Sequence, residues 1–205
     1  MSVCSPDGER CVVHFVEQVH GSAVTVVGDA GTRSVGTART RCEGDADALV
    51  ATSPGNGLAV LVADCAPVAL VSPEGIFGAV HAGWKGVSAG VVEHAVAAMR
   101  ELGASAVTGV RGPCIRSCCY EFSAEDLERV AVRYGPAVEG RARSGALALD
   151  LPAAVSAALA EAGAAERGGV DECTACGTGY FSHRARRDEG RQALLIWRTT
   201  EPGAA

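Results

Sequence analysis

The chain has 205 residues, 48% hydrophobic and 20% charged, with a formal net charge of −6. That length and apolar content suit a globular protein able to bury a core, and one domain is expected over residues 1–205. The negative balance argues against a partner gripped through its phosphates, because nucleic-acid-binding domains carry a basic surplus. No run of about 18 apolar residues exists to cross a membrane. The N-terminal stretch contains Asp7 and Glu9 and lacks an apolar core of signal-peptide length, so a cytoplasmic location is expected. Nine cysteines, at positions 4, 11, 42, 65, 114, 118, 119, 173 and 176, then read as free thiols, metal ligands or a nucleophile rather than disulfides.

From the N-terminus, Val12–Val16 and Ala23–Val27 are β-branched runs that predict two short strands, with His20 at the junction and Gly21 supplying the turn. Residues 28–44 are polar and are expected to form a loop. Ala48–Val50 predicts another strand, and Pro54-Gly55-Asn56-Gly57 a turn. Two apolar runs follow, Leu58–Ala63 and Ile76–Val80, each reading as a buried strand. The first ends on Asp64-Cys65 and the second on His81. A helix is expected from about Ser88 to Leu102, where Val91, Val92, Ala95, Val96 and Met99 recur at helical spacing before Gly103. Val107–Val110 predicts a strand and Arg111–Phe122 a loop. Ser123, with Asp126 three residues on, caps a helix reaching about Arg133. A helix over Ala153–Ala162, a strand at Val170–Cys173, a loop at Cys176–Tyr180, a last strand at Ala193–Trp197 and a frayed tail complete the chain. Helices and strands mix without repeats or regular alternation, so the expected class is α+β: a layered domain with a mixed β-sheet flanked by helices.

Side chains placed where buried strands run out are rigidly held and leave room for a ligand. His20, Cys65 and His81 offer two imidazoles and a thiolate, a borderline-soft set suited to Zn²⁺, and three protein ligands leave a fourth position open. Copper is the alternative metal for the same donors. Separations of 45 and 16 residues do not themselves bring the three together. A Cys65–His81 dyad, in which an imidazole activates a thiolate as in cysteine hydrolases and amidases, needs the same two atoms close. A rival metal site would join Cys173 and Cys176, a C-x-x-C pair, to Cys114, Cys118 and Cys119; its irregular spacing ranks it below free thiols. Asp64 is placed to act as an acid/base or to cap its turn, and Trp84 to wall a pocket or to pack. Asp45 and Asp47 are candidates to orient a histidine, and Glu121 is a further candidate proton donor.

Taken in order, QVHG, DADALV, ADCAPVAL, GAVHAGWKG, GPCIRSCCYEF, LDL and FSH with GRQ resemble the laccase-domain family over about Val16 to Ile196. That family, also called YfiH-like or multicopper polyphenol oxidase, is now described as purine nucleoside phosphorylases. The resemblance implies a YfiH-like, cysteine-hydrolase-like fold and a zinc ion on His20, Cys65 and His81. It implies phosphorolysis of adenosine, inosine, guanosine and methylthioadenosine, deamination of adenosine, and catalysis centred on Asp64, Cys65 and His81. Phosphorolysis needs cationic donors for phosphate, and Lys85, Arg111, Arg184 and Arg191 are the candidates. The older label implies copper-dependent oxidation of phenols. The five histidines (14, 20, 81, 94 and 183) are too few for a trinuclear cluster with a separate copper. The expected partners are therefore small molecules, a purine nucleoside and phosphate, with no nucleic acid and no membrane, in a monomer or homodimer. Two departures leave a relative with a different substrate among the alternatives. Only 17 residues precede Gln18, where the family carries a further segment. The C-terminal loop differs from the family's FFSYRRDGxTGRQ pattern at His183, Ala185, Arg186 and Glu189.

Overall fold

The computed structural model describes residues 12–28 and 40–199. Cys4, Cys11, residues 29–39 and the tail from Glu201 lie outside the described residues. Strands β1 (Val12–Glu17), β2 (Val24–Val27), β3 (Thr40–Asp45), β4 (Ala48–Ala51), β5 (Asn56–Val62), β6 (Ala66–Val71) and β7 (Phe77–Ala82) come first. Helices α1 (Trp84–Ser88) and α2 (Val91–Glu101), strand β8 (Thr108–Arg111) and helix α3 (Ala124–Tyr134) follow. Then come the hairpin β9 (Glu139–Arg141) and β10 (Leu147–Leu149), helix α4 (Leu151–Glu161), β11 (Ala165–Gly169), a one-turn helix α5 (His183–Arg186) and β12 (Gln192–Trp197).

Two mixed sheets and one helical layer result, the α+β arrangement expected. One sheet has the order β11-β8-β6-β7-β4-β2 and the other β12-β5-β1-β3. The six-stranded sheet lies in the middle. Every residue of β4 and β7 is buried, and their side chains alternate between two cores as the twofold period of a strand requires. Ala48, Val50, Val80 and Ala82 join Val91, Ala95, Met99, Val155 and Leu159 on the helical side. Leu49, Ala51, Phe77 and Ala79 face Val16, Leu58 and Val60 of the other sheet, with Leu194 and Ile196 packed against them. Burial on both faces explains why these strands read as unbroken apolar runs.

The structure departs from the expected elements where polarity or a breaker hides a strand. Thr40–Asp45, which overlaps the expected loop over 28–44, pairs in parallel with β1 at the edge of its sheet. Ala66–Val71 is an additional strand between β7 and β8. Its Pro67 lies at the strand's start, where a missing N–H is tolerated, and its carbonyl accepts from Gly112 N at 2.8 Å. The edge strand at the far end is Ala165–Gly169, exposed throughout, rather than Val170–Cys173. The helix expected over Ser88–Leu102 is α2, starting at Val91, and a separate short helix, α1, precedes it. Gly90 between them has φ 89°, a left-handed conformation that interrupts the helix and suits glycine. Arg133 of α3 clamps that junction through Ser88 O at 2.8 Å and Glu93 at 2.9 Å. Ser123 caps α3 as expected, accepting from Asp126 N at 3.1 Å.

Leu70, fully buried in β6, tests the central sheet. Leu70→Ala is expected to lower stability by about 2–5 kcal/mol, since the lost burial and the residual cavity add. Chemical denaturation followed by far-ultraviolet circular dichroism measures it.

Candidate metal centre and active site

The registers of the central sheet bring the chemistry together. Ala48 pairs with Val80 across β4 and β7, so Asp47 and His81, one step beyond, are neighbours. His81 N donates to Asp47 O at 2.7 Å, and its side-chain Nδ1 lies 2.7 Å from Asp47 Oδ1. On the other side Pro67 pairs with His81, which brings the turn carrying Asp64 and Cys65 to the end of β7. The third ligand candidate arrives on the turn between β1 and β2. His20 N donates to Asp47 Oδ1 at 2.9 Å and Gly21 N to Asp47 Oδ2 at 2.6 Å.

Asp47 is fully buried. Burial alone would raise its pKa, but the hydrogen bonds from His81, Gly21 and His20 outweigh it and hold the carboxyl below the usual range. An ionised Asp47 accepts the Nδ1 proton of His81, leaving Nε2 with its lone pair for a ligand. The rings of His20 and His81 meet edge to face with centroids 4.7 Å apart. Cys65 Sγ lies 3.8 Å from His20 Nε2. One donor atom from each of His20, Cys65 and His81 falls within 4.8 Å of the other two. Ligands at about 2.0–2.3 Å from a tetrahedral zinc stand roughly 3.3–3.8 Å apart, so the set fits a single metal ion with modest contraction. Gly83 makes the cradle possible: a Cβ there would lie 3.0 Å from both Cys65 Sγ and His20 Cδ2.

The protonation states suit a metal better than a nucleophilic dyad. Burial, then repulsion from the neighbouring His81 imidazole, lowers the His20 pKa and favours its neutral, coordinating form. Burial, followed by the charge of Asp64, pushes the Cys65 thiol up to about 12. An activated thiolate needs the opposite shift; a bound cation supplies it by displacing the proton.

Two backbone positions at the site are costly. His20 has φ 58° and Asp64 φ 91°, left-handed values that cost non-glycine residues about 1–3 kcal/mol each. Asp64 is held by three partners. Its carbonyl accepts from Ile115 N at 2.8 Å, Oδ1 from Thr174 Oγ1 at 2.7 Å and Oδ2 from Arg184 N at 2.6 Å.

His20, Asp64, Cys65 and His81 border a cavity of about 580 Å³, and Tyr120, His183, Arg184 and Arg191 also line it. The Arg184 guanidinium stands 5.1 Å from the centre of the Tyr120 ring, a cation–π contact. Burial raises the Tyr120 pKa and keeps its hydroxyl protonated. Arg191 turns Nη1 onto the carbonyls of Asp188, Glu189 and Gly190 at 2.8–3.0 Å. Of the four expected phosphate ligands, Arg184 and Arg191 thus reach the cavity, while Lys85 and Arg111 are not among its lining residues. Lys85 Nζ lies 5.8 Å from the Trp84 ring. Arg111 is buried, with Val170 O at 3.3 Å and Glu166 and Asp171 each at 3.7 Å. Trp84 packs edge to face on Phe122, Glu121 bonds Ser144 Oγ, and Asp45 is exposed. Tyr120 and Thr174 gave no sequence signal of a role, since a tyrosine and a threonine in polar loops look like any others.

Asp47→Asn is expected to weaken metal binding about 10–100-fold, the usual cost of removing a carboxylate that orients a ligand histidine. With His20 already neutral and the Cys65 proton still to be displaced, metal affinity is expected to rise about tenfold per pH unit above neutrality. Competition against a chromophoric chelator over a pH series measures both.

The chain has relatives across nearly its whole length. The sequence profile of the multi-copper polyphenol oxidoreductase laccase family matches residues 5–199. A purine nucleoside phosphorylase of Streptomyces coelicolor is 40% identical over 190 residues, covering 90% of this chain and 74% of the relative. One from Corynebacterium glutamicum is 34% identical over 188 residues, with the same 90% and 74% covered. Among solved structures, the hypothetical protein YfiH of Bacillus licheniformis superposes with a TM-score of 0.78 at 28% identity, covering 90% of this chain and 73% of that one. YlmD of Geobacillus stearothermophilus gives 0.76 at 30% identity, covering 92% and 74%. The chain therefore belongs to the multi-copper polyphenol oxidoreductase laccase family, the YfiH-like group to which these purine nucleoside phosphorylases are related.

Proposed function

We propose that the protein is a zinc-dependent purine nucleoside phosphorylase, with His20, Cys65 and His81 holding the metal. One observation carries the reading: a two-histidine, one-cysteine donor set opens on a nucleoside-sized cavity of about 580 Å³ whose wall carries His183, Arg184 and Arg191. The relatives named purine nucleoside phosphorylase support the reaction class. A zinc ion there supplies a Lewis acid that polarises the substrate and offsets developing negative charge.

In phosphorolysis a phosphate oxygen bonds to the anomeric carbon of the sugar while the bond from that carbon to the purine nitrogen breaks. The protein must therefore hold a phosphate beside the sugar and offer a donor to the departing base. Arg184 and Arg191 are the guanidinium donors for phosphate. Arg191 exchanges the loop carbonyls it now holds for phosphate oxygens. His183 and the protonated Tyr120 hydroxyl are the donors available to the base. Asp64, expected as an acid or base, has both carboxylate oxygens occupied, by Thr174 and by the backbone of Arg184. We read it as a positioning residue that ties the substrate wall to the turn bearing Cys65.

Phenol oxidation by several coppers fits the residues less well. His14 bonds Glu43 and Asn56, and His94 bonds the Ser22 carbonyl. Three histidines remain at the cavity, fewer than a trinuclear cluster with a separate copper requires. No helix among the described residues is long and apolar enough to cross a membrane. The free thiols fit a reducing compartment, and the cytoplasm is the proposed location.

Incubation with inosine or adenosine is expected to release free base only when phosphate is present. Cys65→Ala is expected to abolish turnover and remove one equivalent of zinc, and Arg184→Ala to raise the KM for phosphate about 10–100-fold, as loss of a charged hydrogen-bonding partner predicts. Adenosine converted to inosine without phosphate would reveal the deaminase activity that the resemblance implies. Zinc-loaded protein that turns over no nucleoside would sink the substrate assignment.

A further inference from the structure

A second group of potential metal ligands stands apart from the cavity. Cys118 and Cys119 lie on a single 3-10 turn, Ser117–Cys119, after β8. Cys173 and Cys176 lie on the loop between β11 and α5. The two segments are bound side by side: Cys114 and Cys173 form an isolated parallel bridge, and Thr174 N donates to Cys114 O at 3.2 Å. All four sulfurs fall within 4.8 Å of one another, with Cys118 Sγ 3.4 Å and Cys119 Sγ 3.5 Å from Cys176 Sγ.

We propose that Cys118, Cys119, Cys173 and Cys176 form a structural tetrathiolate zinc site. Thiolates at about 2.3 Å from a tetrahedral zinc stand roughly 3.8 Å apart, so the four sulfurs already bracket the required spacing. The separations are well beyond a disulfide bond of about 2.05 Å. Binding converts four thiols and Zn²⁺ to a zinc tetrathiolate and releases four protons, with no change of oxidation state. Cys114, a candidate on composition alone, is excluded by position. It is fully buried, and the Arg111 guanidinium lies 3.9 Å from its sulfur.

The site has a structural task. Between Cys173 and Cys176 lies Thr174, which bonds Asp64, and the same loop continues into Arg184, whose N–H also bonds Asp64. Arg186 gathers the carbonyls of Thr174, Gly177 and Tyr180 at 2.5–3.3 Å. A zinc ion bridging Cys118 and Cys119 to Cys173 and Cys176 would anchor the start of this loop and so fix the cavity wall. Closed four-thiolate sites serve structure because no position is left for substrate.

Metal analysis of the full chain purified under reducing conditions is expected to find two zinc equivalents. Cys65→Ala is expected to keep one, and cobalt placed in that variant to show the intense ligand-field and charge-transfer bands of a tetrathiolate. Cys118→Ser/Cys176→Ser is expected to lose that equivalent and its spectrum. Chelation of Cys65→Ala is expected to open residues 170–186 to protease, reversed by added zinc. Cys65→Ala protein holding no metal, or a disulfide among the four cysteines in place of the metal, would overturn the proposal. If the double serine variant does not fold, the stoichiometry and spectrum of Cys65→Ala decide alone. That readout is independent of the nucleoside assay, so failure of either reading leaves the other standing.

Discussion

One buried carboxylate organises the candidate centre. Asp47 binds the imidazole of His81 on one strand and two consecutive backbone N–H groups, of His20 and Gly21, on a turn from another part of the chain. Its position follows from strand register, which sets it beside His81 without any special local sequence. A carboxylate with no exposed surface stays ionised only if its hydrogen bonds offset the lost hydration, and here they do. The ionised state then fixes the His81 tautomer and holds His20 in a backbone conformation that a histidine would otherwise avoid.

The middle sheet is the second constraint. With β4 and β7 buried on both faces, neither strand can slide by one residue without exchanging the two cores' side chains. The same registers that seat Leu49 and Val50 in opposite cores set Asp47, Pro67 and His81 side by side. Precision at the centre is thus a by-product of packing in the two layers around it.

Legibility in the sequence followed the physics of each element. The runs Leu58–Ala63 and Ile76–Val80 announced buried strands because burial on two faces demands continuous apolarity, and the Ser123 cap announced α3. Thr40–Asp45 and Ala165–Gly169 are edge strands whose polar side chains carry no such signal, and Pro67 concealed a strand that tolerates it at its first turn. His20, Cys65 and His81 stood out by donor type and setting, but only the family resemblance joined them into one site, since residues 45 and 16 apart have no local geometry. The four-cysteine cluster ranked low on its irregular spacing, and what unites Cys118 and Cys176, 58 positions apart, is a tertiary bridge. Lys85 and Arg111 had the right charge for phosphate, but charge says nothing about direction.

The dependence of Asp64 on Thr174 and Arg184 has a temporal side. All three donors of the candidate metal set lie between His20 and His81, whereas the residues that complete the cavity wall come from Tyr120 onward. Synthesis runs from the N-terminus, so the ribosome delivers the candidate ligands well before the loop that borders them. Contacts spanning 110 and 120 residues are among the last the chain can close. Until they do, the left-handed turn at Asp64 lacks two of its three supports. The order of emergence therefore separates the candidate metal ligands from the residues that finish the cavity.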